Sequence, residues 1–185
     1  MLDVNNVTLV GKCTHCNIRP TKNPSFHSFW AVINGVAVSA SLHKDQVFSE
    51  EDVKGKNICV QGFLSDYNGK YQLSFSGKNI VQIPAIIDPV AEVTVSGKVT
   101  AVNGNRVEIA STYMSRSKDK KVEFKERMVL LDLTEWLEAH PNIDISKIKP
   151  NSSNCLVRGV VENKDNQIVV NVKWLNPAKF MNLVK

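Results

Sequence analysis

The sequence contains no apolar run near the ~18–20 residues that a bilayer-crossing helix needs, so a helical membrane protein is not the expectation. Its first residues, MLDVNNVTLVGK, carry Asp3 and have no basic stretch leading into an apolar core, so they do not read as a secretory signal. A cytoplasmic protein with its four cysteines held as thiols is expected. There is no Gly-rich loop to cradle a phosphate and no nucleophile elbow, and the four histidines lack metalloprotease spacing. The chain is therefore expected to bind rather than catalyse. A second C-x-x-C is also missing. Cys13 and Cys16 stand alone in GKCTHC, although a structural zinc commonly takes two such pairs. His15 and His27 could complete a set of ligands only if the segment folded back over the next strand. A thioredoxin-type pair belongs at a helix N-terminus in a βαβ setting, which this segment does not offer. Reduced thiols in a binding loop are the expected state, with no metal and no cofactor.

The chain does carry an ordinary soluble composition, 43% hydrophobic and 22% charged, with a net charge of +5 and a pI near 9.0. That balance permits a polyanionic partner. Short β-branched runs recur between turn residues. In the first half these are VTLVGK from Val7, FHSFWAVI from Phe26, VAVSASLH from Val36, NICVQGFL from Asn57 and KYQLSFS from Lys70. Asn34-Gly35 and Asn68-Gly69 each lie between alternating runs, the strongest short-range signal for a hairpin. The segment IPAIIDPV, from Ile83, has two prolines and no alternation, and reads as the connection between two halves.

In the second half the runs are VTVSGKVTAV from Val93, RVEIA from Arg106, KVEFKERMVLLDL from Lys121, CLVRGVVE from Cys155 and QIVVNVKW from Gln167. TEWLEAH, from Thr134, reads as a short helix anchored by Trp136 and Leu137. DQVFSEEDVKGK, from Asp45, takes the same place in the first half, with Glu50, Glu51 and Asp52 at a helix start. Five strands with a helical segment between the third and fourth is the order of the OB-fold. The expectation is an all-β chain of two tandem five-stranded OB-fold barrels. Residues 1–85 form the first, 86–91 link them, and 92–185 form the second.

The two-residue turn at Asn34-Gly35 sorts side chains onto faces. Ile33, Val36, Ala31, Val38, Phe29, Ala40 and Leu42 fall on the barrel interior. Val32, Ala37, Trp30, Ser39, Ser28, Ser41, Phe26 and His43 fall outside. Trp30 and Phe26 thus stand among small and hydroxylated neighbours, where a base has a flat surface and lateral room. Each stacked base contributes ~1–3 kcal/mol, largely regardless of its identity. The second hairpin pairs Tyr67 with Lys70, Ser65 with Gln72 and Phe63 with Ser74, which puts Tyr67, Lys70 and Gln72 on a projecting loop. Lys12, Arg19 and Lys22 flank the expected loop between the first two strands. Arg116, Lys118, Lys120 and Lys121 crowd a loop in the second half, where basic side chains can track phosphates. Residues 1–90 hold eight basic and seven acidic residues, against fifteen and eleven in residues 91–185. The aromatic surface belongs to the first half and most of the positive charge to the second.

Two stretches of the first half resemble the bacterial-type single-stranded DNA-binding protein family. NVTLVG, from Asn6, is similar to that family's opening strand. KGKNICVQGFL, from Lys54, is similar to its fourth strand, entered through Lys-Gly and holding a glycine. The resemblance implies an OB-fold that coats and protects single-stranded DNA in replication or recombination, with little sequence preference and no catalysis. It also implies a homo-oligomer, replication proteins as partners, and a bacterial, plasmid or phage setting. The family commonly ends in an acidic tail that recruits other enzymes, whereas this chain ends in NPAKFMNLVK. A protein-interaction scaffold and an RNA-preferring single-strand binder remain the alternatives.

Overall fold

A computed structural model describes residues 3–46, 48–67, 70–83, 89–116, 119, 121–151, 154–165 and 167–176 of the chain. Ten strands dominate it. They are β1 (Asn5–Pro20), β2 (Phe26–Ile33), β3 (Val36–His43), β4 (Asn57–Tyr67), β5 (Lys70–Ile83), β6 (Val90–Asn103), β7 (Arg106–Arg116), β8 (Val122–Asp132), β9 (Asn154–Lys164) and β10 (Gln167–Leu175). Two short helices, α1 (Glu50–Val53) and α2 (Thr134–Ala139), follow β3 and β8. Among the described residues no helix is long and apolar enough to cross a membrane. The chain divides into two compact units. One gathers residues 6–92 and 161–168; the other gathers residues 1–5, 93–160 and 169–185.

The first unit contains a closed five-stranded barrel. β1 pairs β2 and β4, β2 pairs β3, β4 pairs β5, and β3 runs parallel to β5, closing the ring in the order β1-β2-β3-β5-β4. Alternation puts Leu9, Phe29, Ile33, Leu42, Ile58 and Leu73 inside with essentially no exposure. Phe29 meets Phe75 edge-on at 5.6 Å between ring centroids. The β2–β3 turn has Asn34 at φ 48° and Gly35 at φ 77°, the two positive values that a type I′ turn needs. The register that follows is the one the sequence predicts, from Ile33 opposite Val36 to Phe26 opposite His43. Helix α1 opens on a capping box: the Asp52 N–H donates to Ser49 Oγ (3.2 Å) and the Ser49 N–H to Asp52 Oδ2 (2.8 Å).

One expectation about the first unit needs correction. Neither Cys13 nor Cys16 lies in a loop. β1 continues to Pro20 and pairs β2 throughout, from Cys13 opposite Ile33 to Pro20 opposite His27. A register shift between Cys13 and His15 makes this possible. The extra residue of such a bulge lets a strand bend and go on pairing. Proline, which has no N–H to give, sits at the strand's last position.

In the second unit the strand neighbours run β6-β7-β8-β10-β9, and β9 also pairs β6. β8 and β10 are parallel, as β3 and β5 are. Trp136 anchors α2, buried and stacked on His140 at 4.4 Å. The chain's first described residues join this unit: the Asp3 N–H donates to the Thr112 carbonyl at 3.0 Å, and Thr112 N–H to Asp3 Oδ2 at 2.9 Å. With the strands placed, an internal correspondence emerges. β1 holds VTLVGK and β6 holds VTVSGK; β4 holds CVQG and β9 holds LVRG. In the second pair the glycine does the same job. A Cβ on Gly62 would run into the carbonyl of Ser74 on β5, and a Cβ on Gly159 into that of Asn171 on β10.

Candidate nucleic-acid interface

The outer face of the first barrel takes its chemistry from strand register. Asn17 lies opposite Trp30, Trp30 opposite Ser39, Ser39 opposite Ser74, and Ser74 opposite Phe63. These pairs form one row across five strands. An aromatic stands near each end and two serines lie between. A parallel row places Arg19 opposite Ser28 and Ser28 opposite Ser41. Between these rows is an open groove of about 600 Å³ to which Trp30, Ser39, Ser41, Phe63, Gln72 and Ser74 contribute. Phe29, Ala40 and Phe75 also line it, so it mixes apolar surface with hydroxyls that are already hydrogen-bonded. Ser39 Oγ donates to Gln72 Oε1 (3.2 Å), and Ser65 and Ser74 Oγ are 3.0 Å apart.

Trp30 is 47% exposed and Phe26 37%, while Phe29, between them in sequence, is 1% exposed. Alternation along β2 accounts for the contrast. Phe26 packs edge-on against His43 at 5.6 Å, at the end of β2 away from the turn, and the His43 imidazole lies 3.0 Å from the Asp45 carboxylate.

The sequence-derived residues therefore separate into groups. Trp30, Ser39, Ser41 and Gln72 share the groove, with Phe26 and His43 on the same face. Arg19 is on β1, exposed beside Ser28, with its Nε donating to Asn17 Oδ1 at 3.0 Å. Lys22 is exposed in the short β1–β2 connection, and Lys12 is exposed on β1 opposite Asn57 of β4. Tyr67 and Lys70 pair at the β4–β5 hairpin, but their side chains and Asn68-Gly69 lie outside the described residues. So do Lys118, Lys120 and the Arg116 side chain; Lys121 is exposed. Phe63, Ser74 and Asn17 were not singled out from sequence. The signal for Phe63 was its hairpin pairing with Ser74. Only the parallel β3–β5 contact brings that pair beside Trp30.

The two thiols face away from this surface. Cys16 lies opposite Ala31, on the interior side of the sheet, while His15 lies opposite Val32 on the outer side and is exposed. His15 therefore does not share a face with the cysteines. Burial pushes Cys13 up and Cys16 up to about 12, the latter helped by Cys13 and Glu50 nearby. Both are thiols at neutral pH, and among the described residues no group of three His, Cys, Asp or Glu side chains could hold a metal ion.

No protein-family model matches the sequence, and no curated protein does. Solved structures do match. The wild-type single-stranded DNA binding protein from Thermus aquaticus is 17% identical, with 95% of this chain and 93% of that chain aligned at a TM-score of 0.58. A deletion mutant of the same protein is 16% identical over 95% and 94%, with the same TM-score. The chain shares the fold of these proteins. At this identity the likeness concerns the path of the backbone, so the surface chemistry must be read from this chain's own residues.

Proposed function

We propose that this protein binds single-stranded DNA with little sequence preference, coating and protecting it in replication or recombination. The observation that carries the reading is the row Trp30–Ser39–Ser74–Phe63, two aromatics with two serines between them along an open groove. A flat ring accepts any base, serines leave lateral room and offer hydrogen bonds, and Arg19 on the neighbouring row supplies charge for a phosphate. The groove suits unpaired bases, because a duplex hides its base faces inside the stack. The shared fold with a protein described as binding single-stranded DNA supports the same reading.

Two finer points belong to this proposal. The second unit is a diverged OB-fold barrel. Its support is the repeated strand order, the parallel β8–β10 contact and the glycine pair Gly62 and Gly159. The protein works as a homo-oligomer without catalytic activity, as the family resemblance implies. The test uses the full chain with Trp174→Phe, which leaves Trp30 as the exposed indole, since Trp136 is buried. Titration with oligo-dT at low salt is expected to quench Trp30 emission, and competition with duplex DNA to leave that quenching largely intact. Unchanged emission at saturating oligo-dT would overturn the reading.

A further inference from the structure

The second unit has a surface aromatic that its fold does not require. Trp174, near the end of β10, is 42% exposed, although Val169, Val170 and Val172 of the same strand are completely buried. Above its ring lies the guanidinium of Arg158 from β9, 5.6 Å from the centroid. Arg158 occupies the position that Gln61 holds in the first barrel, one residue before the matching glycine. In the first barrel that position faces outward opposite Thr8 of β1, two residues before Phe63 on the same strand. Trp174 lies three residues after Asn171, as Gly77 lies three after Ser74, so the pair matches Gln61 and Gly77, neither of which is among the described residues lining the Trp30 groove.

We infer that Arg158 and Trp174 form a second, separate nucleotide site for a single-stranded polymer, with the indole taking a base and the guanidinium its phosphate. A nucleotide combines a flat π-surface with a negative charge one sugar away, and this pair offers the complement of each within one ring's width. The site lies in the half of the chain with fifteen basic and eleven acidic residues, which favours a polyanion over a neutral partner. With the guanidinium over one face of the ring, a base uses the indole surface that stays exposed, and its phosphate reaches the arginine beside it. An unpaired strand is the occupant because the base must present a free face.

The inference deepens the proposed function and rests on it for the class of ligand, but the two are tested by different indoles. Trp30→Phe leaves Trp174 as the exposed reporter in the full chain, with Trp136 buried against His140 as an internal control of folding. Oligo-dT at low salt is expected to quench Trp174 emission, and Trp174→Phe in the same background to remove that change. Arg158→Gln is expected to lower the slope of log K against log salt by about 0.7, one phosphate contact. If Trp30 is quenched and Trp174 is not, the proposed function stands and this inference falls. If Trp174 alone is quenched, the inference stands and the groove reading falls. A shift in Trp174 emission that depends on protein concentration and not on oligo-dT assigns the pair to an interface between copies, and overturns the inference.

Discussion

Trp30 and Phe29 are adjacent in sequence and point to opposite sides of one sheet, and that contrast predicts two separable losses. Trp30→Ala removes a ring that is 47% exposed, whereas Phe29→Ala removes one that is 1% exposed and packs against Phe75. A base stacked on an aromatic contributes ~1–3 kcal/mol, and each 1.4 kcal/mol is a factor of ten in affinity. Trp30→Ala should therefore weaken binding to oligo-dT by roughly 5- to 150-fold. Its effect on unfolding should stay under about 1 kcal/mol, as for surface substitutions away from special contacts. Phe29→Ala should destabilise the protein by about 3–5 kcal/mol, a large part of an ordinary domain's stability. The assays are anisotropy of a labelled oligo-dT at low salt and equilibrium unfolding in urea. Two results would refute the reasoning. Affinity within twofold of the parent protein would remove Trp30 from the interface. A loss of stability from Trp30→Ala as large as that from Phe29→Ala would mean the indole is covered.

Other outcomes follow from the same geometry. Arg19→Ala should reduce the salt slope of oligo-dT binding by about 0.7 with little change in stability, measured by titration at several salt concentrations. Lys12→Ala, at the β1–β4 seam, should leave that slope unchanged. Gly62→Ala and Gly159→Ala should each destabilise by about 1–3 kcal/mol in urea, because the added methyl meets a partner-strand carbonyl that cannot yield without moving the strand. Cys16, raised from 9.0 to about 12, favours its protonated form in the folded state. The associated stability is complete below pH 9 and is lost as pH rises toward 12. At pH 8 the folded chain should therefore hold on the order of a thousandfold less Cys16 thiolate than the unfolded chain. Alkylation followed by mass spectrometry should find Cys16 protected until denaturant is added; fast alkylation of the folded chain would contradict this.

What could be read from sequence depended on how local the determinant was. The β2–β3 hairpin was legible because Asn34-Gly35 fixes a turn type and the turn fixes every later pair, so the exposure of Trp30 and burial of Phe29 followed from counting. Helix α1 was legible because acidic residues gather in its first turn, behind the Ser49 cap. The full length of β1 was not. CTHCNIRP mixes thiols, a histidine and a proline without clean alternation, and the bulge between Cys13 and His15 shifts the register that alternation would report. That bulge turns Arg19, expected beside a loop, onto the aromatic face. Phe63 stayed hidden for another reason. Its neighbour across the groove is reached only through the parallel β3–β5 contact, and such pairing leaves no turn between the strands to announce it.

The two units suggest why a face that binds and a frame that folds follow different rules. Where β4 and β9 match, Val60 and Val157 are both fully buried, and Gly62 and Gly159 both lie against a carbonyl of the next strand. At these positions packing leaves few alternatives: a longer side chain either overfills the interior or pushes the strands apart. The residues between and beside them are free of that constraint, and they differ. Gln61 gives way to Arg158, and Phe63 to Val160. The second unit thus lacks the first's aromatic at the Phe63 position but has an arginine two residues earlier, over Trp174. If the frame is one design used twice, its outer surfaces need not bind in the same place. Each unit would then hold a strand on its own surface, the first at the Trp30 groove and the second at the Arg158–Trp174 pair. Trp30→Ala and Trp174→Ala should then each weaken oligo-dT binding by an amount that does not depend on the other, measured by anisotropy of the single and double variants; a strongly non-additive double variant would tie the two rings to one site.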